Sequence, residues 1–204
     1  VIGEAEISVN PDIYSMIIGV ETDNKDTKVA QEENTKRMLA ILDSLEEHKI
    51  PKEDIRTISY NIYPNYRYDQ ATGKSIVTGY SVSSVISVTS KDIENVGKVI
   101  DSVTEAGATN INNIMFDVSN REEIYNKALK LATQKSEQKA LSIVSAFNKN
   151  KVTPQTIQEV QSYNYGRMLN DGMMVKGEMD FGGTTPINQE YITIKAQVNA
   201  TYSY

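Results

Sequence analysis

Five tyrosines, Tyr60, Tyr63, Tyr66, Tyr68 and Tyr80, fall within the stretch YNIYPNYRYDQATGKSIVTGYSV (residues 60–82), beside two basic side chains, Arg67 and Lys74. Rings at this density can stack on bases or sugars. Binders of single strands, however, set such rings along a basic groove, and this chain carries 27 acidic against 21 basic residues, for a net charge of −6. Phosphate backbones would be repelled on average, so no nucleic-acid partner is expected. Tyrosine is also enriched where proteins meet, because its ring contributes area while its hydroxyl tolerates water. The five are therefore read as an interface, with small-ligand stacking as the alternative.

The remaining reactive side chains assemble no recognisable site. Met168, Met173, Met174 and Met179 lie in the long segment 166–187 and could suggest a thioether copper site. The chain has no cysteine and no histidine nearby, so adaptable apolar packing is the better reading. Met173 and Met174 thus join the tyrosines as interface candidates. His48 is the one histidine; it falls in the last turn of an expected helix and reads as a solvated helix end, since a general base needs a positioned partner. Signatures of zinc proteases, P-loops and nucleophile elbows are missing. Gly182-Gly183 precede TTP and not a helix, which removes the phosphate cradle. The doublets Glu32-Glu33, Glu46-Glu47 and Glu122-Glu123 point in different directions on a helix. Asn170-Asp171-Gly172 lacks the other oxygen ligands of a calcium loop. No catalytic residue, metal site or cofactor is expected.

The elements that must hold the tyrosines follow from periodicity. Ala5, Ile7 and Val9 alternate, a turn follows at Asn10-Pro11-Asp12, and Tyr14, Met16, Ile18 and Val20 alternate again, which predicts an opening hairpin. Asp26 or Thr27 can cap a helix carrying Met38, Ile41, Leu42 and Leu45 on one stripe, stopped at Ile50-Pro51. Ile58, Tyr60, Ile62, Tyr66 and Tyr68 then share one face of a strand, and Ile76, Tyr80, Val82, Ile86 and Val88 one face of the next. Arms of about fourteen residues reach roughly 45 Å at about 3.3 Å per residue, beyond the roughly 17–20 Å usual in domains. The outer hairpin should therefore overhang its own domain.

Ile93, Val96, Ile100 and Val103 predict a short helix with Gly107 as its left-handed end; Ile114, Phe116 and Val118 predict a strand. Ser119 and Glu122 form a capping box for a helix over about 120–147 carrying Tyr125, Leu129, Ala132, Ser136, Ala140, Ile143 and Phe147, with Asn148 or Asn150 ending it. Strands at Val152–Tyr165 and Ile192–Tyr202 close the chain. The order ββαββ then αβαββ gives an α+β fold of two small sheets with packed helices, with possible subdomains at 1–90 and 91–204. No run reaches the roughly 18–20 apolar residues of a membrane span. The chain starts at Val1 and not Met, so a signal or anchor upstream is expected, with membrane or envelope-protein association through it.

Four blocks, GEAEISVNPDIYSMIIGVET, DIRTISYNIYPNYRYDQATGKSIVTGYSVSSVISV, AGATNINNIMFDVSNREEIYNKALKLATQKSEQKA and TPINQEYITIKAQVNATYSY, resemble the SIMPL-domain family, which includes bacterial periplasmic and outer-membrane immunogenic proteins. The resemblance spans nearly all of residues 1–204. It implies one exported α+β domain that self-assembles into large ring- or channel-like homo-oligomers and is linked to oxidative stress, with no catalytic residues to carry over. A monomeric envelope ligand- or protein-binding module is the alternative. The chain departs from the family at Asn148, where glycine is common, and in the Met- and Gly-rich segment 166–187.

Overall fold

The computed structural model describes residues 1–70, 73–160, 185, 187 and 191–204. Its elements are β1 (Ile2–Val9), β2 (Ile13–Asn24), α1 (Thr27–Glu47), β3 (Ile55–Asp69), β4 (Lys74–Ser90), α2 (Val96–Glu105), β5 (Asn110–Asp117), α3 (Arg121–Ser145), β6 (Thr153–Val160) and β7 (Ile192–Ser203). This is the expected order. Among the described residues it builds two sheets, β1-β7-β6 and β3-β4-β2-β5, and an α+β fold.

The chain divides into two compact units, which are discontinuous in sequence and do not follow a cut at residue 90. One unit takes β1 together with α3, β6 and β7; the other spans Asp12–Phe116 and includes Thr185 and Ile187. The opening hairpin expected at Ala5–Val20 does not form. β1 pairs antiparallel with β7, and β2 with β4. Period-two alternation states which face is buried but not which strand lies alongside, so a turn signal between adjacent strands was compatible with either pairing.

In the α3 unit, Ala5 lies opposite Ala196 and Ile7 opposite Ile194. The helix lays Ile124, Ala128, Ala132, Ser136, Ala140 and Val144 against this sheet. Four-residue spacing and small side chains let the helix backbone come close. At Gly3 the approach is closest: an added Cβ would stand 2.0 Å from the Ala132 carbonyl oxygen and 2.8 Å from Ser136 Cβ. The seam is therefore built from alanine and serine, and the expected stripe needs correction, because Ile143 and Phe147 are exposed while Tyr125 and Leu129 are half-buried. Periodicity ranks large residues as core, whereas here small ones win by permitting contact. The N-cap is Asn120, one residue past the expected Ser119 and without a side-chain cap bond of its own, and Glu122 and Glu123 in the first turn complement the helix dipole. Asn148 adopts φ 59° after the helix, as expected.

In the hairpin unit, Met16, Ile18 and Val20 of β2 and Ile86 and Val88 of β4 present one buried face to Ile41 and Leu45 of α1 and to Val96, Val99 and Val103 of α2. Asp26 caps α1, accepting from the Lys28 and Val29 amides at 2.8 and 3.4 Å. Gly107 ends α2 at φ 108°. Fully buried Asn34 sits on the apolar stripe of α1. Its Nδ2 donates to the carbonyls of Val20 and Val82 at 3.0 Å each, and Ser84 donates to its Oδ1. Such a satisfied buried amide fixes the helix on two strands at once. From the segment 166–187, Ile187 packs on this core and Thr185 Oγ1 donates to Asp101 Oδ1 at 2.5 Å.

Candidate functional site

The tyrosine hairpin is positioned by the end of β2. Asn24, its last residue, lies opposite Tyr80, and Gly79 lets the chain pass: a Cβ there would stand 2.8 Å from the Asn24 carbonyl oxygen. Beyond that point β3 and β4 continue as a two-stranded ribbon through the pairs Asn65–Gly79, Tyr66–Val77, Arg67–Ile76, Tyr68–Ser75 and Asp69–Lys74. Five residues of β3 at about 3.3 Å each overhang β2 by roughly 17 Å. The expected overhang exists, and it is shorter than the arms themselves. Gly73, at φ 67°, donates its amide to the Asp69 carbonyl at 2.9 Å and closes the turn.

Cross-strand partners share a face, so the register sorts the rings. Ile62 lies opposite buried Val82, Tyr60 opposite buried Ser84, and Pro64 opposite half-buried Tyr80. The even-numbered residues of β3 therefore continue the face that α1 and α2 cover on β2 and β4. On β3 that face is open: Tyr60 is 46 % exposed, Ile62 43 %, and Tyr66 and Tyr68 64 % each. Ile58, expected on this face, is left without a partner by a register shift between Thr57 and Ser59 and drops out of the alternation.

Tyr63 belongs to the opposite face. Its hydroxyl donates to Glu21 Oε1 at 2.5 Å, and this bond to a carboxylate raises the phenol above its usual pKa. Beside it, Asn65 Nδ2 donates to Asp23 Oδ1 at 3.0 Å and to Ser81 Oγ at 2.8 Å. One face of the hairpin is thus uncharged and aromatic, and the other carries two carboxylates with their donors.

Four of the five expected tyrosines, Tyr60, Tyr66, Tyr68 and Tyr80, come together on one face. Ile62 and Val77, 49 % exposed and opposite Tyr66, belong with them and were passed over by a search for rings; the same alternation marks Ile62. Met173 and Met174, with Met168, Met179, Gly182-Gly183 and Asn170-Asp171-Gly172, lie outside the described residues. His48 is not a solvated helix end: it is half-buried, and its Nε2 and Ser102 Oγ share a 2.8 Å hydrogen bond that ties α1 to α2. Among the described residues no group of three or more His, Cys, Asp or Glu could hold a metal, and no helix is long and apolar enough to cross a membrane.

Residues 1–202 match a family model, SIMPL, described as a protein of unknown function (DUF541). Uncharacterized protein YggE of Escherichia coli (strain K12) is 26 % identical over 147 residues, covering 72 % of this chain and 59 % of that protein. The 26 kDa periplasmic immunogenic protein of Brucella melitensis is 28 % identical over 149 residues, covering 72 % and 60 %. The chain thus spans about three fifths of the length of the curated relatives it matches.

Proposed function

We propose, on the premise that this chain belongs to the SIMPL family, that it is a non-enzymatic, exported bacterial protein that assembles with copies of itself through the hairpin into a large ring- or channel-like homo-oligomer. The observation that carries this reading is the open face of Tyr60, Ile62, Tyr66 and Tyr68, which α1 and α2 leave uncovered. Contiguous exposed apolar surface of this kind marks interaction sites, and its burial is favourable by about 25 cal/mol per Å². Export is supported by the periplasmic designation of the Brucella relative. The non-enzymatic part of the reading rests on the lack of a recognised catalytic motif in the sequence and on a family described only as of unknown function. A role in envelope or oxidative stress belongs to the same proposal and would act through the assembly.

Light scattering on the purified chain tests it. The wild type should have a mass well above 22.8 kDa, and the triple change Tyr60→Ser, Tyr66→Ser, Tyr68→Ser should lower it at least twofold. A wild type that stays at one chain's mass up to high concentration rejects assembly in favour of a monomeric binding module.

A further inference from the structure

Self-association through a hairpin can take two physically different forms. The free edge of β3 can add a strand from another copy, or its open face can pack against the same face of a copy. Backbone chemistry separates the two. In an antiparallel pair, residues that bond to the neighbouring strand alternate with residues whose amide and carbonyl point away from it. Proline has no amide hydrogen and is tolerated in a sheet where that hydrogen would face the free edge. Pro64 stands opposite Tyr80 without a register shift at that pair, so the even-numbered residues of β3 direct their backbone groups outward. The middle of the outward series Tyr60, Ile62, Pro64, Tyr66 and Tyr68 therefore has no donor to offer. The shift at Ile58 ends the series on the other side. What remains is two runs of two outward residues each, at the short end of the two or three that an ordinary strand of roughly five or six residues presents to one neighbour, and they are separated by a position with no donor; a proline and a bulge are devices that blunt an edge against strand addition.

The side chains of the same residues are suited to the second form. Tyr60, Ile62, Tyr66, Tyr68 and Val77 are 46, 43, 64, 64 and 49 % exposed. With an aromatic side chain offering roughly 150–250 Å², they present on the order of 500 Å² per copy. Two copies related by a twofold axis would bury about 1,000 Å², the size at which a specific interface begins. The chain carries a net charge of −6, and the opposite face of the hairpin holds Glu21 and Asp23. Two such faces brought together would oppose like charges. The even face has no charged residue from Tyr60 to Tyr68, so it can meet itself without that repulsion, as a twofold contact requires; such a contact joins copies in pairs, and a larger ring closes through a second contact beside it.

Resting on the self-assembly reading above, we infer that copies of this chain meet face to face, through Tyr60, Ile62, Tyr66 and Tyr68, and that the β3 edge is not used for strand addition. Sedimentation over a concentration series, with two variants beside the wild type, tests this. The double change Ile62→Thr, Tyr66→Thr keeps strand propensity and removes the face; it should weaken association at least tenfold. Pro64→Thr restores the missing amide and leaves the neighbouring rings; it should change association by less than twofold. Circular dichroism of both variants matching wild type shows that the strands persist. Pro64→Thr strengthening association tenfold while the double variant assembles normally would overturn the inference in favour of edge pairing and leave self-assembly standing. A double variant that assembles normally with Pro64→Thr unchanged would move the contact off this hairpin and also overturn it. A monomeric wild type would overturn both readings.

Discussion

The two units solve the same problem, covering one face of a sheet, with different materials. In the α3 unit the cover is close and small: Ala128, Ala132, Ser136 and Ala140 sit on a sheet that offers Gly3, Ala5 and Ala196 in return. In the hairpin unit the cover is bulky, with Met16, Ile18, Ile41 and Leu45 filling the space and Asn34 anchoring the helix by hydrogen bonds. Their edges differ as well. β6 and β3 both carry a proline and a register shift, at Pro154 and near Pro64 respectively, so both are blunted against strand addition. Yet the exposed residues of β6 are mostly polar, TPQTIQEV, whereas those of β3 are aromatic. Blunting an edge and offering a face are separable properties, and β3 alone of these two strands has both.

The largest expected effect divides the units. Leu45→Ala removes a fully buried side chain and should cost about 2–5 kcal/mol, with amide exchange accelerated through α1, β2 and β4 and left unchanged through α3 and β7. Equal acceleration in both would make the molecule one cooperative body and blur the comparison. Next comes Gly3→Ala, where the added carbon meets helix backbone that cannot rotate away. It should cost about 1–3 kcal/mol, read from a urea midpoint, with accelerated exchange confined to α3 and its sheet.

A smaller effect concerns alkaline pH. The Tyr125 hydroxyl donates to Glu159 Oε1 at 2.5 Å, and that bond, with some burial, pushes its pKa up to about 12. A phenol raised above its unfolded value of about 10 contributes stability in full below pH ~10, and loses it as pH rises toward ~12. Tyr125→Phe should therefore lower the urea midpoint at pH 8 slightly and flatten its decline between pH 10 and 12. An identical alkaline decline in wild type and variant would remove Tyr125 as its source.

Much of this was legible in the residues. The element order, the left-handed ends at Gly107 and Asn148, the Asp26 cap and the overhanging hairpin all follow from local chemistry, which acts within a few residues. What escaped is nonlocal. That β1 pairs with β7 and not β2 depends on a contact closed across the whole chain. That Ala132 and Ser136 outrank Ile143 and Phe147 depends on Gly3, some 130 residues away in sequence. At the candidate site, alternation placed Tyr60, Tyr66 and Tyr68 together. A density of rings also drew in Tyr63, although odd numbering puts it with Glu21 on the charged face.

The central claim is that copies cover the even face of the hairpin. Hydroxyl-radical footprinting of the tyrosines across a dilution series reads this directly, since Tyr66 and Tyr68 are 64 % exposed on one chain and Tyr191 and Tyr204 are 72 and 71 % exposed on the other unit. At high protein concentration Tyr66 and Tyr68 should lose reactivity while Tyr191 and Tyr204 keep theirs. Tyr66 and Tyr68 labelling at the same rate at every concentration would contradict the account.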